Sequence, residues 1–210
     1  MGFPQLIVPD SLPERYNVAP GQPVAVITNT EPHTLQFFRW GLVPSWAKDA
    51  GIGHRLINAR GESVGEKPAF RSALKARRCL ILASGFFEWS EEAGARHKTP
   101  YRFSRRDGVL FAFAGLWEVW HPAEGDPLYT CTIITTAANA LLAPFHHRMP
   151  VILPPEDYIA WLTPDPQPAE RLIAMLRQYP AEALQAVPVS TLVNNARVNL
   201  PECLAPQRDG

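Results

Sequence analysis

Four side chains of kinds that can move protons or hold anions sit at the ends of apolar runs in this sequence: Asn58 and Arg60 in Ile57-Asn58-Ala59-Arg60, Glu88 in Gly85-Phe86-Phe87-Glu88-Trp89, and His146 in Pro144-Phe145-His146-His147-Arg148-Met149-Pro150. Strands that deliver an amide, a guanidinium, a carboxyl and an imidazole to one cleft would supply general acid, general base and anion-binding groups together. Glu88 lies between Phe87 and Trp89, surroundings that disfavour a carboxylate and raise its pKa toward values useful to a general acid. The structural alternative is a strand-edge glutamate facing water. His146 is an acid or base candidate by its ordinary pKa, against the alternative of a satisfied structural histidine. If residues 146 and 147 are extended, the two rings point to opposite sides, which argues against a two-histidine metal face. Asn58 and Arg60 share a face if their segment is extended, side by side as an amide and a phosphate or carboxylate fork; a turn asparagine and a solvated arginine are the alternative.

The elements that must position these groups are mostly short strands. Val24–Ile27, Thr34–Trp40, Arg78–Ala83, Phe86–Trp89, Pro100–Phe103, Val109–Trp117 and Tyr129–Thr136 are rich in aromatic and β-branched residues and separated by glycine or charged turns. Helices are expected over Lys67–Arg77, Glu156–Leu162 and Pro168–Gln178, the last stopping before Pro180. This pattern predicts an α+β fold, a curved or barrel-like, mainly antiparallel sheet with a few flanking helices.

The chain has 210 residues of which 46% are hydrophobic, enough for one sizeable core, and residues 1–210 are expected to form a single domain. With 20 basic and 20 acidic residues the formal charge is zero, so any surface for a polyanion must be local. Two basic clusters could hold phosphates: Arg71, Lys75, Arg77 and Arg78, and Arg102, Arg105 and Arg106. Solvated helix and loop faces are the commoner explanation. Trp46, in Trp40-Gly41-Leu42-Val43-Pro44-Ser45-Trp46, could stack on an unpaired base or cap the core. The three cysteines are an odd number, and Cys79 and Cys131 sit in apolar runs, as buried reduced thiols of a cytoplasmic protein would. No apolar stretch is long enough to span a bilayer, and neither a metal nor a cofactor is indicated.

The ordered motifs Arg15-Tyr16-Asn17-Val18-Ala19-Pro20-Gly21, Trp40-Gly41-Leu42-Val43-Pro44, Ile57-Asn58-Ala59-Arg60, Cys79 through Trp89, His146 through Leu153, and Val189-Ser190-Thr191-Leu192-Val193-Asn194-Asn195 together resemble the SRAP family, the SOS-response-associated peptidases or abasic-site processing proteins. The resemblance implies a sensor of abasic sites in single-stranded DNA, which crosslinks to them through an N-terminal cysteine freed from its initiator methionine. An α-amine with pKa near 8 forms a Schiff base with the open sugar aldehyde, and the thiol closes a thiazolidine. By similarity Glu88 is general acid or base, His146 assists ring opening, Asn58 positions the cysteine, Arg60 grips a flanking phosphate and Trp46 or its neighbours wedge against a base. Arg71, Arg77 and Arg148 are the further expected DNA contacts. An autopeptidase role is also implied.

The family begins Met-Cys-Gly-Arg, whereas this sequence begins Met1-Gly2-Phe3-Pro4 and reaches Arg15 sooner. The expectation is therefore a chain truncated at its N-terminus relative to the family and impaired in durable crosslinking. Two other readings carry different signatures. A non-covalent single-stranded DNA-binding module would show steep salt dependence without preference for abasic strands. A hydrolase using His146 with Cys79 or Cys131 would require an accessible thiol.

Overall fold

The computed structural model describes residues 6–90 and 98–207. The first strands are β1 (Pro23–Thr28), β2 (Gln36–Trp40) and β3 (Asn58–Arg60), followed by helix α1 (Arg71–Ala76). Then come β4 (Arg78–Ala83), β5 (Phe86–Ser90), β6 (Thr99–Arg105), β7 (Phe111–Trp120) and β8 (Leu128–Ala137). The C-terminal third holds β9 (Arg148–Pro150), β10 (Ile152–Leu153), α2 (Tyr158–Trp161), α3 (Ala169–Ala174) and β11 (Leu184–Pro188).

The main sheet closes on itself. β7, β4, β1, β2 and β8 follow one another, and β7 also pairs with β8, which completes a ring. Every contact around the ring is antiparallel except that between β2 and β8. The barrel-like, mainly antiparallel α+β architecture read from the sequence is therefore the one present. A second sheet, in the order β11, β6, β5, is wholly antiparallel.

The closure has a gap. β7 pairs with β8 from Gly115 to Trp120, whereas residues 111–114 of β7 and 134–137 of β8 part from one another. Residues 148–153 fill the opening, with β9 on β8 and β10 on β7. Between them the Val151 N–H donates to the Ile134 carbonyl at 2.8 Å, and the Val151 carbonyl accepts from the Ala114 N–H at 2.9 Å. Met149, Val151, Ile152 and Leu153 are buried, which is why this short segment is apolar, since a strand enclosed on both faces has no solvated side to alternate with.

The faces of the sheet carry different cores. Leu80, Ala114, Leu116 and Ile134 pack with Leu74 of α1, Trp161 of α2 and Leu172 of α3. Cys79, Ile81, Phe113, Trp117, Cys131 and Ile133 form the other cluster, with Phe103 and Leu184 of the second sheet. Joining α1 and α2 is Arg78, whose side chain is fully buried. Its Nε donates to the Trp161 carbonyl at 2.8 Å, Nη1 to Leu74 and Lys75 at 3.0 and 2.7 Å, and Nη2 to Thr163. One guanidinium thus satisfies the carbonyl ends of both helices, and their partial negative charge compensates the buried cation. Burial pushes the Arg78 pKa down, but arginine starts so high that it stays charged.

The expected helices are shorter than their sequence patterns. Lys67–Arg77 is helical only from Arg71, because residues 61–70, with Pro68 among them, run as successive turns. Pro168–Gln178 stops at Ala174, and Glu156–Leu162 is divided between a 3₁₀ turn at Pro155–Asp157 and α2.

Replacing Arg78 by Met should destabilise the protein by about 3–5 kcal/mol, because several buried carbonyls lose their donor at once. Urea midpoints of the two proteins check this; a loss of less than about 1 kcal/mol would show that the helix ends find other partners.

Candidate functional site

Alternation along β5 separates its side chains. Phe87 and Trp89 pack with Tyr16, Val189, Val193 and Cys203, whereas Phe86 stacks on Phe103 at 5.3 Å and meets Phe113 edge-on at 5.9 Å. Glu88, in step with Phe86, faces Tyr101 across the β5–β6 ladder. Burial pushes the Glu88 carboxyl above its ordinary range, and the nearby His146 opposes that rise.

His146 is delivered by a turn. The buried Asn139 accepts the Leu142 N–H at 3.0 Å and donates to the Tyr179 carbonyl at 2.8 Å, pinning residues 139–145. Phe145 then inserts between rings, 4.8 Å from Tyr101 and 5.1 Å from Phe103. The exposed His146 has Nδ1 at 3.1 Å from the Arg148 backbone N and 2.9 Å from the Arg148 carbonyl O. A neutral ring accepts there from the amide and an imidazolium donates there to the carbonyl, so the ring keeps its orientation through a proton cycle. The histidine rings are 4.5 Å apart and do not diverge to opposite faces, because the strand begins only at Arg148.

Asn58 and Arg60 are exposed on either side of the buried Ala59, and β3 runs parallel to β8, with Arg60 in register with Thr135. Along β3 lies an open groove of about 760 Å³ lined by Trp46, Arg55, Leu56, Asn58, Arg60, Ser63, Lys67 and Phe70 among others. Trp46 is 61% exposed there, so it does not cap the core. Its loop is rigidly held: Gly41, at φ +129°, packs backbone to backbone on Gly53, and a β-carbon on Gly41 would stand 2.7 Å from the Gly53 carbonyl oxygen. The Trp40 indole donates to the Ile57 carbonyl and the Trp120 indole to the Ala47 carbonyl, each at 2.8 Å.

The other expected DNA contacts fall into distinct settings. Arg71 is exposed at the start of α1. Arg77 pairs with Glu118 at 2.9 Å. Arg148 forks onto Glu62 at 2.6 and 2.8 Å and donates to the Thr135 carbonyl at 2.7 Å. Arg55 and Lys67, which sequence reasoning did not single out as contacts, line the groove with Arg60, and none of the three has an ion pair among the described residues. The signal available was proximity in sequence: Arg55 lies just before Asn58, and Lys67 just after the same segment. Cys79, Cys131 and Cys203 are all buried, and burial pushes the Cys79 and Cys131 thiols far up, which removes them as nucleophiles. No cluster of three metal-ligating side chains occurs among the described residues.

Comparison with known proteins places this architecture. The family model for SOS response associated peptidase (SRAP) matches residues 5–196. The chain is 46% identical over 190 residues to the abasic site processing protein YoqW of Bacillus subtilis, covering 90% of this chain and 84% of that protein. It is 35% identical over 194 residues to the abasic site processing protein HMCES of Gallus gallus, covering 82% of this chain and 57% of that protein. A crystal structure of a Bacteroides thetaiotaomicron protein superposes with a TM-score of 0.84 at 30% identity, covering 94% of this chain and 87% of that one.

Because the folded state raises the Glu88 pKa, Glu88 costs no stability when protonated, and the cost grows as pH rises through the folded value and then levels. Glu88→Gln should therefore be more stable than the parent at pH 7 and converge with it below about pH 4, the ordinary glutamate value. Melting temperatures of both proteins across that span check the sign.

Proposed function

This chain belongs to the SOS response associated peptidase (SRAP) family, and we propose that it captures abasic sites in single-stranded DNA, with covalent chemistry at Glu88 and His146 and the flanking strand in the groove along β3. The observation that carries this reading is a desolvated carboxyl beside a backbone-held histidine, in a molecule whose nearby groove offers an exposed indole and three cations. The relatives named as abasic site processing proteins support it.

The chemistry asks little of the protein beyond proton placement. A closed abasic sugar is a hemiacetal, and His146 would shuttle the proton that opens it to the aldehyde. An amine adds to the aldehyde carbon to give a carbinolamine, whose hydroxyl must leave as water. Glu88, protonated nearer neutrality than an ordinary glutamate, would supply that proton and leave an imine. A thiol beside the amine would then add to the imine carbon and close a thiazolidine, with no oxidant or reductant needed. Asn58 would orient the reacting groups, and Arg55, Arg60 and Lys67 would hold phosphates while Trp46 stacks on a base.

The test is a denaturing gel after incubation with a single-stranded oligonucleotide carrying one abasic site. The protein is expected to give a shifted band after borohydride reduction of the imine, and a version whose mature N-terminus is a cysteine a heat-stable band without reductant. If neither protein shifts while intact and abasic strands bind equally well, the covalent reading fails and a non-covalent single-strand binder takes its place. Trp46→Ala should weaken binding of an unmodified single strand by about 1–3 kcal/mol, roughly 5- to 150-fold in Kd, at fixed salt.

A further inference from the structure

Glu62 stands two residues beyond the end of β3, in the turns that follow Arg60. It contributes neither to the groove lining nor to the Glu88–His146 pair, yet both of its carboxylate oxygens are taken by the Arg148 fork. Arg60 and Pro150 both register on Thr135, from β3 and β9 on opposite edges of β8. Two strand spacings, about 9–10 Å, separate those edges. Arg148 spans them, donating to the Thr135 carbonyl on the way, and the Gly61 N–H donates to the same carbonyl at 2.8 Å. The Nε of Arg148 is buried without a partner, so the guanidinium is held by Glu62 and Thr135.

We propose that Glu62 is a positioning residue for the reaction: by fixing the Arg148 side chain it fixes the Arg148 peptide that brackets Nδ1 of His146, and so ties the Asn58–Arg60 strand to the histidine. The backbone on either side is held, with the His146 N–H on the Leu142 carbonyl and Arg148 paired with Ala137, but the exposed ring itself meets only the Arg148 peptide and the His147 ring. A carboxylate also suits the place for its charge. It neutralises the cation closest in sequence to His146. Arg148 in turn holds the Glu62 carboxyl below its ordinary range, so the pair stays ionised at neutral pH.

The role in catalysis rests on the abasic-site reading, whereas the positioning itself is measurable without DNA. In the free protein, nitrogen NMR of the His146 ring should report one predominant tautomer, and Glu62→Ala should give a mixture, with Glu62→Asp restoring part of the preference. With saturating abasic oligonucleotide, Glu62→Ala should slow single-turnover imine capture about 10- to 100-fold, while Kd for the same strand stays within about threefold, because the released Arg148 remains a cation. If the tautomer and the capture rate are unchanged and only the melting temperature falls, Glu62 is a structural ion pair and the proposal is overturned. If the tautomer preference collapses in the variant although the parent captures no abasic strand, positioning stands and the functional reading fails.

Discussion

The parting of β7 from β8 is the constraint on which the rest of this molecule depends. A five-stranded ring can close only if these long strands pair, and they do so over half their length. The remaining backbone donors and acceptors would be buried and unmet without residues 148–153 between them, and unmet groups of that kind are among the costliest features a fold can carry. The peptide that repairs the barrel is also the one that carries His146 at its entrance and Arg148 as its first strand residue. Barrel closure and the placing of His146 thus depend on the same peptide, because the apolar side chains that seat it also fix where the imidazole emerges.

The charged groups of the molecule divide into neutralised and unneutralised ones. Glu62 and Arg148 saturate each other, as do Arg77 and Glu118, and Arg78 is spent on helix carbonyls deep in the fold. Arg55, Arg60 and Lys67 remain open to an incoming anion. The two carboxyls of the region are pushed in opposite directions, Glu62 down by its arginine and Glu88 up by burial. Such a split keeps one group a fixed charge while the other holds its proton to higher pH than an ordinary glutamate. A protein with no net charge can therefore still present a locally cationic groove.

Much of this was legible in the residues themselves. The aromatic and β-branched runs marked the long strands, and Asn58, Arg60, Glu88 and His146 were visible as polar groups ending apolar segments. The ordered motifs supplied the family. What escaped was whatever depends on contacts remote in sequence or on short, proline-bearing segments. β11 ends in Pro188 and has no clean alternation, and the Arg148–Glu62 fork joins residues 86 apart. The two histidine rings lie together rather than on opposite sides because the chain is not extended before Arg148, a local bend that residue types do not reveal. The basic run at Arg77 and Arg78 suggested a surface, yet one of these residues is enclosed at the junction of two helices. Local pattern does not distinguish a cation that meets solvent from one that meets carbonyl groups.

Gly41 and Gly53 lie so close that neither tolerates a β-carbon, and between them runs the loop that holds up Trp46. Evolution can therefore alter this loop only between two fixed posts. Changes at Ser45, Ala47 or Lys48 would reshape what surrounds the indole without moving the anchors, whereas a change at either glycine would disturb the barrel rim as well. The surface around the indole can thus vary on a short stretch while the barrel beneath it is inherited intact.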